Sequence, residues 1–228
     1  MVEAQDVRFS AAGVDLVGTL FEPDGAEPAS GILFIHGLHS SQVGYRERAE
    51  AVGERLGAVS LTFDLGGHGR SGGSLAELTA RAHLAEALAA YDLLASQPSV
   101  DTERIGVCGA SYGAYLSALV TAERPVRRLL LRAPALYADE DLDTPVERRT
   151  ARSDGGPSLA LERLARYAGD VLIVESALDE SISAATIAAY LAACRRGAHE
   201  VIPDAAHQLV GPARARFREL IVSWFAGL

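Results

Sequence analysis

Gly109-Ala110-Ser111-Tyr112-Gly113 follows the apolar run 104–108 (RIGVC) and precedes a helical pattern over residues 114–122. The order is strand, tight turn, helix. Glycines on either side of Ser111 permit a strained backbone that pushes the serine hydroxyl out of the turn. As a bare string, G-x-S-x-G is common. With a strand before it and a helix after it, it reads as a nucleophile elbow.

Working outward, short apolar runs alternate with longer helical patterns. Residues 31–35 (GILFI), 58–63 (AVSLTF), 104–108, 126–131 (VRRLLL), 170–174 (DVLIV) and 200–202 (EVI) are strand candidates. The first five are continuous rather than alternating, as expected for strands covered on both faces. Before them, segments 6–10 and 14–21 flank Ala11-Ala12-Gly13 and predict an antiparallel hairpin. Ser74-Leu75-Ala76-Glu77 fits a capping box and predicts a helix running to about Ser96. Near the end of the chain, Phe217, Leu220, Ile221, Trp224 and Phe225 form an amphipathic stripe. Such β–α alternation specifies a mainly parallel sheet wrapped by helices. With no internal repeat or linker tract, residues 1–228 read as one domain.

One stretch breaks the rhythm. Residues 134–169 hold an acidic half (Asp139, Glu140, Asp141, Asp143), then Arg148, Arg149 and Arg152, then Gly155-Gly156-Pro157. This is too long for an ordinary βα connection. It is either a surface excursion with one helix over residues 159–167 or a small lid over a site. The acidic half either faces solvent or repels anionic substrates such as acyl-CoA.

Composition narrows the chemistry. The net charge is −9, and all 21 basic residues are arginine. That balance argues against a nucleic-acid partner. The absence of lysine excludes a Walker-type P-loop, a Schiff-base enzyme and a Ser–Lys dyad; the absence of asparagine excludes a Cys–His–Asn triad. Two cysteines, Cys108 and Cys194, make neither a disulfide framework nor a metal cluster. Neither a signal peptide nor an apolar run of membrane-spanning length is apparent, so the expectation is a cytoplasmic chain without a membrane partner.

Three further features align with the elbow. Segment 31–35 runs into His36-Gly37-Leu38, and segment 58–63 runs into Asp64-Leu65-Gly66-Gly67-His68-Gly69-Arg70-Ser71. The last strand candidate leads to Pro203-Asp204-Ala205-Ala206-His207. With these motifs the chain resembles the α/β-hydrolases, of the small esterase, thioesterase and dienelactone-hydrolase-like kind, over almost its whole length. The resemblance implies a mostly parallel eight-stranded sheet flanked by helices, with a short insert after the sixth strand. It also implies the family order Ser…Asp/Glu…His, with Ser111 as nucleophile, Asp179 as acid and His207 as base. Backbone N–H groups of Leu38 and Tyr112 would supply the oxyanion hole. His39 is a candidate for lining the substrate pocket. Two departures stand out: Gly66, where many relatives carry arginine, and Ser176, where glycine is common.

Competing residues have bland roles. Glu175 rivals Asp179, and Glu180 is expected to open the next helix. His36 and His68 shape their loops, His83 lies in a long helix and His199 is exposed. Asp204 suits a turn. Cys108 falls inside a strand and Cys194 in an Ala-rich helix, where both read as packing. Tyr112 either lines the acyl pocket or packs.

The expected function is hydrolysis of carboxylic esters or thioesters of short to medium acyl groups through an acyl-enzyme. A small-molecule ester is the partner, and no metal or organic cofactor is implied. Serine at the elbow disfavours haloalkane dehalogenase and epoxide hydrolase chemistry, which place aspartate there. Amide or peptide cleavage by the same triad, and a non-catalytic binding protein on the same fold, are the alternatives.

Overall fold

The computed structural model describes residues 1–25, 28–138 and 142–228. Asp139, Glu140 and Asp141 of the acidic stretch lie outside the described residues. The chain opens with an antiparallel hairpin, β1 (Val2–Ala11) and β2 (Val14–Pro23), closed by Ala11 opposite Val14. Ala12 and Gly13 both take positive φ, 51° and 77°. Two such residues match the right-handed twist of the flanking strands in a two-residue loop.

From β3 (Ala29–Ile35) onward, strands and helices alternate: α1 (Val43–Leu56), β4 (Val59–Phe63), α2 (Ala80–Ala95), β5 (Val100–Ala110), α3 (Tyr112–Val120) and β6 (Arg128–Arg132). The chain continues through α4 (Leu159–Arg166), β7 (Asp170–Ser176), α5 (Ala184–Ala193), β8 (Gly197–Ile202) and α6 (Gly211–Phe225). The eight strands form one sheet in the order β1-β2-β4-β3-β5-β6-β7-β8. β1 and β2 pair antiparallel, β2 meets β4 antiparallel, and all remaining pairs are parallel.

The continuous apolar strands are explained by burial on both sides. Leu33 and Ile35 of β3 join a core with α2, α3, α4 and α5, whereas Ile32 and Phe34 join a second core with α1 and α6. In α6, Phe217, Ile221 and Phe225 are buried, while Leu220 and Trp224 pack at the margin. Each fully buried side chain of this size contributes roughly 1.5–3 kcal/mol. α2 begins later than the capping-box motif predicts. Ser74 closes a separate turn, its carbonyl accepting from Glu77 and Leu78, and Thr79 caps the helix by accepting from the Ala82 N–H at 3.2 Å. Glu180 does not open α5 either: Ser183 caps it, accepting from Thr186 at 3.1 Å.

The described part of segment 134–169 is tied to the body. Leu136 accepts from Arg152 N–H at 2.7 Å, and the N–H groups of Val146 and Glu147 donate to Leu78 and Leu75. Tyr137, Val146, Ala160 and Leu164 sit in the α2–α5 core. Strand order reverses at β3, with β4 on one side and β5 on the other, so the crevice for a ligand opens at the carboxyl ends of β3 and β5.

Candidate active site

Ser111 sits at that crevice, between β5 and α3, with φ 53° and ψ −119°. A non-glycine residue in this region is strained, and the surroundings must hold it there. They do so through its own backbone: Ser111 N–H donates to Arg132, and its carbonyl accepts from Ala114, Tyr115 and Ala135. The flanking glycines are required by contact. A Cβ on Gly113 would collide with the carbonyl oxygens of Ile35 and His36, and one on Gly109 with Ser117 Oγ and the Gly113 carbonyl.

The Ser111 hydroxyl lies 3.1 Å from His207 Nε2, and His207 Nδ1 lies 2.8 Å from Asp179 Oδ2. One tautomer satisfies both contacts, with Nδ1–H donating to the carboxylate and Nε2 accepting from the hydroxyl. Asp179 Oδ1 accepts from the N–H groups of Ser181 and Ile182 at 2.8 and 3.1 Å. Burial opposes the charged Asp179 carboxyl, but the His207 bond and these two N–H donors outweigh it. The carboxyl therefore titrates below its ordinary range. Glu175, the rival acid, pairs instead with His199 at 2.9 Å. Asp204 is exposed in its turn.

Across the crevice, the loops after β3 and β4 brace each other. Asp64 accepts from Gln42 N–H and from Arg70 N–H at 2.8 and 3.0 Å, and from Gln42 Nε2 at 3.0 Å. Three histidines each give one hydrogen bond and take one, as neutral imidazole requires. His36 Nδ1 donates to the Gly37 carbonyl and Nε2 accepts from Leu65 N–H. His68 Nδ1 donates to the Gly66 carbonyl and Nε2 accepts from His39 N–H. His83 Nε2 donates to the same Gly66 carbonyl and Nδ1 accepts from the Tyr112 hydroxyl. Burial lowers all three, His36 to about 4 and His83 to about 3. Among the described residues, the N–H groups of Leu38 and Tyr112 donate to no other group.

Tyr112 is a packing residue, buried with its hydroxyl on His83. His39 lines a cavity of about 530 Å³ beside Ser111. Cys108 is buried in β5, where burial pushes its thiol up to about 12, and Cys194 donates to the Tyr190 carbonyl.

Both sequence departures have local reasons. A side chain at Gly66 would meet Glu86 Oε1 and Leu78 Cδ1, each at 2.6 Å, and the Gly66 N–H donates to Glu86 Oε2 at 2.7 Å. Ser176 Oγ accepts from Arg132 Nη1 at 3.0 Å. Sequence reasoning overlooked Glu86, buried in the middle of α2, and the three arginines of the cavity, Arg48, Arg132 and Arg214. Arg132 did leave a signal, a cation ending the buried run Leu129-Leu130-Leu131.

Residues 26–156 match the Hydrolase_4 family, described as serine aminopeptidase, S33. The chain belongs to this family, and is a hydrolase of the α/β-hydrolase superfamily. It is 30% identical over 212 residues to uncharacterized protein Rv2307c of Mycobacterium tuberculosis strain H37Rv, covering 91% of this chain and 71% of that protein. Est1E from Butyrivibrio proteoclasticus, solved with ferulic acid bound, superposes with a TM-score of 0.78 at 19% identity, over 95% of this chain and 96% of that one. Acetyl xylan esterase 1 from Thermoanaerobacterium sp. JW/SL YS485 gives 0.74 at 18%, over 99% and 83%. At these identities the two structural likenesses are of fold. No helix among the described residues is long and apolar enough to cross a membrane.

Proposed function

We propose that the chain is a serine hydrolase cleaving carboxylic esters or thioesters of short to medium acyl groups through an acyl-enzyme. The observation that carries this reading is His207, which bridges Ser111 and Asp179 at 3.1 and 2.8 Å. In this mechanism Nε2 takes the hydroxyl proton as Ser111 attacks the carbonyl, and Asp179 stabilises the imidazolium that forms. The N–H groups of Leu38 and Tyr112 receive the oxyanion. His207 returns the proton to the leaving group, and water repeats the sequence to release the acid.

The family description raises aminopeptidase action as a second reading. Such a substrate presents a free α-ammonium, and among the described residues the cavity beside Ser111 is lined by Arg48, Arg132 and Arg214 and by no carboxylate. That charge favours the esterase reading.

The test is hydrolysis of p-nitrophenyl acetate and butyrate, beside an alanine p-nitroanilide, by wild type and Ser111→Ala. The esters are expected to turn over, with kcat falling on the order of 10⁶ in the variant. Equal activity of the two proteins overturns the nucleophile assignment. Turnover of the anilide alone overturns the ester assignment.

A further inference from the structure

Among the described residues, the cavity holds two buried cations with no paired carboxylate. Arg48 on α1 and Arg132 at the end of β6 are each only 7% exposed. Their guanidinium carbons lie 5.2 and 5.8 Å from the centre of the Phe217 ring, so both cations stand against one aromatic side chain, and they repel each other. Arg214 adds a third cation, but it has a counterion, Glu47 at 2.8 Å, shared with Arg218. Among the described residues neither Arg48 nor Arg132 pairs with a carboxylate. Arg132 spends Nη1 on Ser176 Oγ and Nη2 on the His207 carbonyl, both neutral acceptors. Arg48 spends Nη1 on the Gly44 carbonyl, and its buried Nε has no partner.

Burying a charge without an anion is expensive, and an unpaired buried donor adds to that cost. Ring stacking recovers a part of it. It also leaves the guanidinium edge free for in-plane hydrogen bonds, the geometry that matches an oxyanion. These cations and Ser111 line one cavity, so a single molecule can set an anion on the cations and its carbonyl at Ser111.

We infer that the Arg48–Arg132 pocket binds an oxyanionic group, carboxylate or phosphate, on the substrate, so that the preferred ester carries a negative charge away from its scissile bond. Its catalytic half rests on the ester-hydrolase reading; its binding half does not.

The binding arm needs no turnover. Benzoate, phenyl phosphate and neutral benzamide are titrated calorimetrically into wild type, Arg48→Gln and the more exposed Arg214→Gln, each confirmed folded by circular dichroism. At least one anion is expected to bind about tenfold or more tightly than benzamide, a gap that closes in Arg48→Gln. In Arg214→Gln the gap narrows without closing, which keeps the test informative should the Arg48 variant fail to fold. The tighter anion identifies carboxylate or phosphate as the group taken. The kinetic arm compares mono-p-nitrophenyl adipate with p-nitrophenyl hexanoate, chains of equal length. A kcat/KM preference for adipate of about tenfold is expected, falling to roughly twofold or less in Arg48→Gln. Benzamide binding as tightly as both anions overturns the proposal, whatever the ester kinetics. Anion preference with no hydrolysis of either ester supports the pocket and overturns the ester-hydrolase reading instead.

Discussion

Arg132 donates from Nη2 to the carbonyl oxygen of His207 at 2.9 Å, so a cation at the end of β6 holds the loop that carries the imidazole. The same guanidinium reaches Ser176 at the end of β7. The backbone of Arg132 accepts from the Ser111 N–H. One residue thus spans all three strands that deliver the serine–histidine–aspartate chain.

Arg132→Gln is expected to lower kcat for a neutral ester by roughly 10- to 100-fold, the worth of a charge-assisted hydrogen bond, while KM moves little. Arg132→Lys, able to keep one of the two contacts, recovers part of the rate. Steady-state kinetics on p-nitrophenyl butyrate separate this from general destabilisation, which would reduce active protein without a partial rescue by lysine.

Asp179→Asn keeps the shape of the site but leaves His207 without its acceptor for Nδ1–H. A fall on the order of 10⁴ in kcat is expected, as when other triads lose this charge. Glu175→Gln, altering the residue paired with His199 instead, leaves kcat unchanged. A large loss in the second variant and none in the first would reverse the two assignments.

Gly113→Ala places a methyl group against two backbone carbonyls that have no freedom to retreat. Overpacking of this kind costs about 1–3 kcal/mol, occasionally more. The urea midpoint is expected to drop accordingly. Gly57→Ala, where nothing stands within 4 Å, costs only the strain of its φ of 65°.

Two opposed shifts are expected to overlap on the acid side of neutrality, where stability depends on pH. His36 and His83 are held neutral by burial, with folded values of about 4 and 3 against 6.5. The unfolded chain therefore binds more protons below pH 6.5, and stability is lost as pH falls from there towards 3. Glu86 is raised by burial from 4.5 to about 7. There the folded chain binds the extra proton, so its contribution is whole below pH 4.5 and is lost as pH rises through 7. That loss is on the order of 3 kcal/mol at 1.36 per unit. Thermal melts from pH 3 to 8 check this. Glu86→Gln steepens the loss on acidification between pH 7 and 4.5, and His83→Gln makes the loss below pH 6.5 shallower.

Much of this architecture was legible because it is written in periodicity and spacing. Continuous apolar runs such as Leu129-Leu130-Leu131 announce strands covered on both faces, and the glycines around Ser111 announce a turn that no side chain would permit. Ser74 misled, since a capping-box string also closes an isolated turn, and only the packing of α2 decides that Thr79 is the cap. Arg48 and Glu86 were invisible for a different reason. Each occupies a helix position where charge ordinarily faces water, and only the assembled layers show that these two face inward. Family spacing favoured Asp179 over Glu175, and it is Asp179 that lies against His207. The physical reason appears only in space, where His199 claims Glu175.

The contacts that join Ser111 to His207 and His207 to Asp179 cross 96 and 28 positions of sequence. No short piece of the chain contains both, and β5, which delivers Ser111, is made well before β7 and β8, which deliver Asp179 and His207. The site has no local precursor, so it comes into being only with the finished sheet. Recovery of ester turnover during refolding would then trail the return of helical signal, making the reaction itself a clock for the last step of assembly.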